Sequence, residues 1–493
     1  LPAENYQSFC NILFKGKVQL AKAETFKKLI RRKTKFFENL NEPFENLKAD
    51  ANIEKYLNEF ELLANRKEKI GNFKRKSIFK VINSDDGEDI KELNPIQKID
   101  LNKILQKPFS ILNWEQGCGK SIGAIAWYKY RMRFNHCRNV FIVGPAIAIK
   151  GTWSTILKKY DENYIMINSL KDINNIQQRQ VVIVTLRMLS KYQKHIKKFI
   201  KKQNQKIAFV FDESDEITNY ASQKNRAVLN CFRKAKFKLL TTGTTTRNNI
   251  NEIYSQLELL YNNSYAFLCR CPNIYKQNKE GDIQTYENDC YLKPFPAFRG
   301  NSIFKSCFSP AKKTVFGIEK ENQDIYNAYD FINLVNKAVI TRKFKEVVGD
   351  GKYQIVTHKI TQTEEEKELY KIIMQEFSSI VNQYFNSTGN SRKDAMLKII
   401  RQLQLLIKST SLPVVFSEFS GKEFEKENYI LKLCEEKQEK IALGTVFRNT
   451  AVSYYYKLKE ITDRPIFYID GEVPFETRKK LINFFHAFPK TPS

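Results

Sequence analysis

The chain has 493 residues, 42% of them hydrophobic, and carries 82 Lys and Arg against 54 Asp and Glu, a net charge of +28. That length predicts about three units with enough apolar content for packed cores. The positive excess favours a polyanionic partner, nucleic acid ahead of an acidic membrane surface. No run of about 18 apolar residues offers a membrane span, and no signal peptide opens the chain. Nine scattered cysteines fit a reducing, cytoplasmic compartment better than a disulfide scaffold.

Residues 1–88 read as a basic, helical accessory region. Lys27, Lys28, Arg31, Arg32, Lys33 and Lys35 interleave with Phe26, Leu29 and Phe36. Such a pattern is a solvated helix face with an apolar stripe behind it, or a nucleic-acid contact. The run Asp85–Asp89 reads as a loop and a boundary.

From 89 to 262, short apolar runs alternate with longer amphipathic ones. Strands are predicted at Phe109–Asn113, Val140–Val143, Val181–Val184, Ile207–Phe211 and Lys238–Thr241. Helices are predicted over roughly 121–134, 146–159, 187–203 and 222–234. This is the pattern of an α/β fold with a parallel sheet, whose ligands bind outside the carboxyl ends of the strands. The polar residues that stand out lie at those ends.

After the first strand comes Trp114-Glu115-Gln116-Gly117-Cys118-Gly119-Lys120-Ser121. A strand, a glycine turn ending in Gly-Lys-Ser and a helix make a phosphate cradle. Gly117 and Gly119 let backbone N–H groups, that of Cys118 between them included, approach the phosphates of a nucleotide. Lys120 reaches the β and γ oxygens, and the Ser121 hydroxyl holds Mg²⁺. The longer form of the pattern has a glycine where this chain has Trp114.

The fourth strand ends in Asp212-Glu213-Ser214-Asp215. Asp212 is the candidate Mg²⁺ ligand and Glu213 the group that orients or deprotonates the attacking water. The plain alternative is an acidic turn capping a helix. After the fifth strand, Thr242, Gly243 and Thr244 are candidates to sense the γ-phosphate and couple its loss to a neighbouring domain. Their alternative is a Ser/Thr turn. Pro145 and Thr185 end the second and third strands. The helix near 191–206, with Lys194, Lys197, Lys198 and Lys201 opposite Ile196, Phe199 and Ile200, reads as a surface helix.

Together these residues resemble the ATPase motor of superfamily-two helicases, in the Swi/Snf-like branch of DNA translocases. Leu93-Asn-Pro-Ile-Gln97 is similar to the element upstream of the phosphate loop whose glutamine recognises adenine. Glu115–Ser121 resembles motif I. Phe141–Pro145 with Trp153 resembles motif Ia, and Val181–Thr185 resembles motif Ib, which the resemblance places near nucleic acid. Asp212–Asp215 stands where the family has Asp-Glu-x-His, and Thr242–Asn248 where it has Thr-Gly-Thr-Pro-x-x-Asn. Asp215 replaces the histidine and Thr245 the proline. More loosely, Val339–Arg342 with Tyr353–Ile360 and Thr363–Tyr370 resembles a brace between two lobes. Lys440–Phe447 and Phe467–Gly471, with Arg478 and Phe484 behind, resemble the first strands and a helix of a second lobe.

The resemblance implies a RecA-like P-loop lobe at 89–262, an irregular and helical protrusion or brace at 263–425, and the beginning of a second RecA-like lobe at 426–493. Motifs V and VI, the latter with its arginines, are not found before Ser493, so the second lobe is expected to be incomplete. The implied activity is ATP hydrolysis with Mg²⁺ that drives movement along nucleic acid, duplex DNA by family analogy, with no membrane partner. The alternative is a processed or degenerate viral or phage motor fragment that binds nucleic acid without turning over alone, within a larger viral or replication/repair assembly. A start at Leu1 rather than Met fits that reading. Cys269, Cys271, Cys290 and Cys307 lack the paired Cys-x-x-Cys hooks of a zinc site. The four histidines fit no catalytic spacing.

Overall fold

The computed structural model describes residues 42–62, 91–160, 162–204, 206–246, 249–261, 268–278, 282–289, 300–310, 313–314, 317–318, 325–349, 354–387, 389–437 and 439–487. The basic cluster Lys27–Lys35, the acidic run Asp85–Asp89, Arg247, Asn248 and Cys290 lie outside them. The chain divides into two compact units, Leu1–Tyr353 and Gln354–Ser493.

The first unit is built on a seven-stranded parallel sheet. In chain order its strands are β1 (Phe109–Trp114), β2 (Val140–Gly144), β3 (Tyr164–Met166), β4 (Val181–Thr185), β5 (Ala208–Asp212), β6 (Phe237–Thr242) and β7 (Val339–Arg342). Across the sheet they run β7-β1-β6-β5-β2-β4-β3. Five of them lie within about a residue of the spans expected from sequence. The edge strand β3 was not expected; it has three half-buried residues and no apolar run to betray it. β7 comes from the stretch read as part of a brace, and it pairs with β1 so that Arg342 lies opposite Trp114.

The strands read as continuous apolar runs because both faces are covered. Leu112, Trp114, Val140, Ile142, Val181, Ile183, Ala208, Val210 and Leu239 point to one core. Their alternating neighbours, among them Ile111, Phe141, Val143, Val182, Val184, Phe209, Phe211 and Leu240, point to the other. Helices α1 (Pro95–Gln106) and α2 (Lys120–Phe134) pack into the first core. Helices α3 (Leu186–Lys202), α4 (Gln223–Phe232) and α5 (Tyr254–Tyr261) pack into the second. The start of α1 is fixed locally: Pro95 occupies its first turn, and Asn94 and Gln97 cap one another reciprocally.

Beyond α5, the buried thiols of Cys269, Cys271 and Cys307 pack around Asn288, whose amide donates to the carbonyls of Cys269 and Cys271 at 2.9 Å each.

The second unit is helical among its described residues. Glu364–Phe385, opened by a capping box of Thr363 and Glu366, pairs with Gly389–Ser409 through Leu369, Ile373 and Leu406. The helices Glu425–Glu436 and Arg448–Ile461 are tied by Glu427 and Lys457 at 2.5 Å. The stretches 440–447 and 467–471, expected as strands, precede the helices Arg448–Ile461 and Phe475–Ala487 in the anticipated order but join no ladder among the described residues. A parallel strand is held by neighbours that bury both faces. Here Leu443 and Val446 are 41% and 82% exposed.

One buried cation ties three elements of the first unit. Lys238, on β6, donates to the carbonyls of Arg233 at 2.8 Å, Leu259 at 2.8 Å and Leu260 at 2.9 Å. It thereby serves the carboxyl ends of α4 and α5 together. Burial pushes its pKa from 10.5 down to about 7. The folded chain thus gives up this proton near pH 7 and the unfolded chain only near 10.5, so the unfolded state binds more protons in between. Stability contributed through Lys238 therefore rises with pH across that window and falls as pH drops to about 7. Lys238→Met should cost on the order of 3 kcal/mol, because three buried carbonyls lose their donor. Urea denaturation at several pH values should show the loss and a flatter pH dependence than in the wild type.

Candidate active site

The residues singled out at the strand ends gather at one edge of the sheet. The loop from Glu115 to Gly119 leaves β1 and enters α2. Gly117 and Gly119 adopt φ of +90° and +82°, which side chains other than glycine rarely accept. At Gly119 there is also no room, since a Cβ there would fall 2.6 Å from Gln97 Nε2.

The N-terminus of α2 carries no side-chain cap and no acidic residue in its first turn. Its leading N–H groups thus lack the usual protein acceptor and suit an anion. Lys120 Nζ donates to the carbonyl of Trp114 at 3.0 Å, and a Cβ at Gly243 would lie 3.6 Å from it. The cradle and the Thr-Gly-Thr turn therefore meet at the lysine. Ser121 follows in the same turn, partly exposed.

Trp114 explains its own departure from glycine. Its main chain supplies the carbonyl for Lys120, and its side chain is fully buried. The indole N–H donates to Asp100 Oδ2 at 3.0 Å. Asp100 in turn accepts from Arg342 Nη2 at 2.8 Å and Nε at 3.0 Å, and this pairing raises the Arg342 pKa. Arg342 begins a clamp on the loop. Its carbonyl accepts from Glu115 N–H at 3.0 Å, Phe344 N–H donates to Glu115 Oε2 at 2.7 Å, and the Phe344 ring occupies the place where a Cβ on Gly117 would go.

Gln97 is buried and engaged at both ends of its amide. Oε1 accepts from Asn94 N–H at 2.9 Å, and Nε2 donates to the Cys118 carbonyl at 2.7 Å. It braces the loop from the side of α1. Burial raises the pKa of the Cys118 thiol.

On β5, Asp212 is 7% exposed, and each of its oxygens has a donor. Trp153 Nε1 donates to Oδ2 at 2.8 Å and Thr241 Oγ1 to Oδ1 at 2.7 Å. Glu213 follows with φ +50° and ψ +58°, a left-handed conformation that is costly for a residue with a Cβ. Asp215 lies 3.2 Å from the Thr242 hydroxyl, which also accepts from Thr244 N–H at 3.1 Å. Gln256 joins the same two turns, accepting from Ser214 Oγ at 2.9 Å and donating to the Thr245 carbonyl at 2.9 Å. Sequence reasoning missed Asp100, Thr241, Gln256, Arg342 and Phe344, because each acts through a partner distant in the chain.

The profile of the SNF2-related domain matches residues 105–412, more than half of the chain. The chain belongs to the SNF2-related domain family. Among curated relatives, the ATP-dependent helicase FUN30 of Saccharomyces cerevisiae is 27% identical over 191 residues, which are 36% of this chain and 16% of that protein. The ISWI chromatin-remodeling complex ATPase CHR11 of Arabidopsis thaliana is 21% identical over 230 residues, 44% of this chain and 21% of that protein. The chain thus spans about a fifth of the length of these relatives. Among solved structures, the Sulfolobus solfataricus SWI2/SNF2 ATPase core in complex with dsDNA aligns with a TM-score of 0.39 and 17% identity, covering 81% of this chain and 76% of that one.

Within this SNF2-related domain, the two residues expected near nucleic acid differ in surroundings. Pro145 is partly exposed just past β2. Thr185 is 4% exposed, and its hydroxyl caps α3 by accepting from Met188 N–H at 3.3 Å. No described helix of the domain is long and apolar enough to cross a membrane.

Gly119→Ala should weaken binding of a fluorescent ATP analogue at least about tenfold, since the new methyl displaces Gln97 and strains the turn. Unchanged affinity would remove the loop from the site.

Proposed function

We propose that the chain is the ATP-hydrolysing lobe of a nucleic-acid motor that moves along duplex DNA. The observation that carries this reading is the uncapped, acid-free N-terminus of α2 behind two left-handed glycines, on the same sheet edge as Asp212 and Glu213. A helix start without a protein acceptor, next to a lysine and on the same sheet edge as a buried carboxylate, suits a polyphosphate with its cation.

In this reading the N–H groups from Gly117 to Ser121 and the Lys120 ammonium bind the β- and γ-phosphates of ATP. Ser121 and Asp212 would hold Mg²⁺, which when bound neutralises phosphate charge. Trp153 and Thr241 fix the Asp212 carboxylate so that it needs no reorganisation. Glu213 takes the proton from a water whose oxygen bonds to the γ-phosphorus as the bond to the β-phosphate oxygen breaks, leaving ADP and phosphate. Thr242 and Thr244, joined to the acidic turn through Asp215, register that change. Gln97, with its amide held by Asn94 and Cys118, supports the loop from which adenine recognition would be built.

The net charge of +28 supports a nucleic-acid partner. Contacts to phosphates make binding sensitive to salt and indifferent to sequence. Nucleotide-gated rearrangement then advances the motor along the backbone.

The test is ATP turnover with and without duplex DNA. Wild type should be stimulated by DNA, and Glu213→Gln should lose about 100-fold or more in kcat while still binding nucleotide. Equal turnover by the two proteins would defeat the motor reading and favour a chain that binds without hydrolysing.

A further inference from the structure

Every residue of helix α5 is buried, and the helix packs against the acidic turn that follows Glu213. Gln256 lies in its first turns with no exposed surface. Burying an amide is unfavourable unless both of its ends find partners. Here both do. Oε1 accepts from Ser214 Oγ at 2.9 Å, and Nε2 donates to the Thr245 carbonyl at 2.9 Å. The bond to a carbonyl fixes which end of the amide is the donor, so the oxygen faces Ser214. Ser214 is itself fully buried.

This bridge ends one residue from a strained one. Glu213 holds φ +50° and ψ +58°, a conformation that persists in a residue with a Cβ only where the surroundings over-determine it. They do so from both sides. Asp212, before it, has its carboxylate fixed by Trp153 and Thr241. Ser214, after it, has its hydroxyl fixed by Gln256. The Glu213 carbonyl accepts from Glu216 N–H at 3.1 Å, which closes the turn. Without the tie at Ser214, Glu213 is free to relax into the right-handed or extended regions that it prefers. Its carboxylate then turns away with the backbone.

Stability alone does not call for a glutamine at this place. Replacing both partners of a buried hydrogen bond by apolar groups of similar shape is close to neutral, and leucine at 256 with alanine at 214 would pack. The Thr245 carbonyl lies in a partly exposed turn, where water can replace the lost donor. What an apolar pair cannot do is fix the direction in which the chain leaves Glu213. A satisfied buried network does that.

We propose that Gln256 is a positioning residue for hydrolysis, which acts through Ser214 to hold Glu213 in the left-handed conformation that aims its carboxylate at the attacking water. The assignment rests on the ATPase reading and adds to it a residue that touches neither nucleotide nor cation. Its amide is committed to Ser214 and Thr245 and not to the Glu115–Ser121 loop. Nucleotide binding therefore does not depend on it, whereas the chemical step does.

The experiment measures kcat and KM for ATP with saturating duplex DNA, and the affinity for a fluorescent ATP analogue, on the full chain. The variants are Gln256→Leu, Ser214→Ala, the two combined, and Gln256→Leu added to Glu213→Gln, the last followed by single turnover. Gln256→Leu should lower kcat at least about tenfold, with KM and analogue affinity unchanged. Ser214→Ala should act in the same direction. The combined variant should be no slower than Gln256→Leu alone and should melt close to the wild type by circular dichroism. On the Glu213→Gln background, Gln256→Leu should cost nothing further, because the group it positions is already gone. Ser214→Ala removes a single oxygen and carries the test if Gln256→Leu does not fold. Wild-type kcat in either single variant, a parallel loss of nucleotide affinity, or a further loss on the Glu213→Gln background would overturn the assignment and leave the ATPase reading intact. A wild type no faster than Glu213→Gln would overturn both.

Discussion

The organisation of the first unit follows from one unmet electrostatic demand, the bare N-terminus of α2. Most helices satisfy their leading N–H groups with a Ser, Thr, Asp or Asn cap, as α1 does with Asn94 and α3 with Thr185. α2 has Gly119 there and a lysine as its first residue. Lys120 adds positive charge where the helix dipole is already positive, which is unfavourable in the absence of an anion. The ammonium is accommodated by the Trp114 carbonyl. A loop assembled this way suits an anion, and its cost to the fold is offset by the surrounding core.

That support comes from sequence-distant residues. Gln97 holds the loop from α1, and the segment after β7 holds it from the other side through Arg342, Phe344 and Glu115. Trp114 is the pivot, because its side chain anchors Asp100 while its main chain serves Lys120. The Asp100–Arg342 pair has a buried carboxylate and a half-buried guanidinium, with the indole N–H as a further donor. A buried acid with its acceptors satisfied in this way specifies geometry more than it adds stability. The Glu115–Gly119 loop is therefore fixed at Gly117 and Gly119 by contacts that lie outside its own sequence.

Much of this was legible in the amino-acid order, and the part that was not shares one cause. Strands buried on both faces announce themselves as apolar runs, so β1, β2, β4, β5 and β6 were readable with their helices. The edge strand β3 has one neighbour and three half-buried residues, too little pattern to read. β7 is only one residue longer, and it joins β1 across more than two hundred residues, a separation that periodicity does not see. The same rule misleads in the second unit. Around Leu443 and Phe467 the apolar residues that suggest a strand are present, but the flanking strands that would bury them are not among the described residues. The Gly-Lys-Ser and Asp-Glu motifs mark the candidate site in the sequence, whereas Thr241, Gln256 and Asp100 carry no local signature.

Register then turns the sheet into a device with two sides. Asp212 and Thr241 are paired positions on β5 and β6, so their side chains share a face. That face also holds Trp153, which is how one carboxylate receives donors from two directions. Thr242, one residue on, points to the other face, where Asp215 and Gln256 lie. The carboxylate and the Thr-Gly-Thr turn are thus tied together from both faces of the sheet, through Thr241 on one and Thr242 on the other. A slip of β6 by one residue would exchange the two threonines and break both links at once. The buried runs Val210–Phe211 and Leu239–Leu240, which set that register, are therefore as necessary to the candidate active site as the polar residues they deliver.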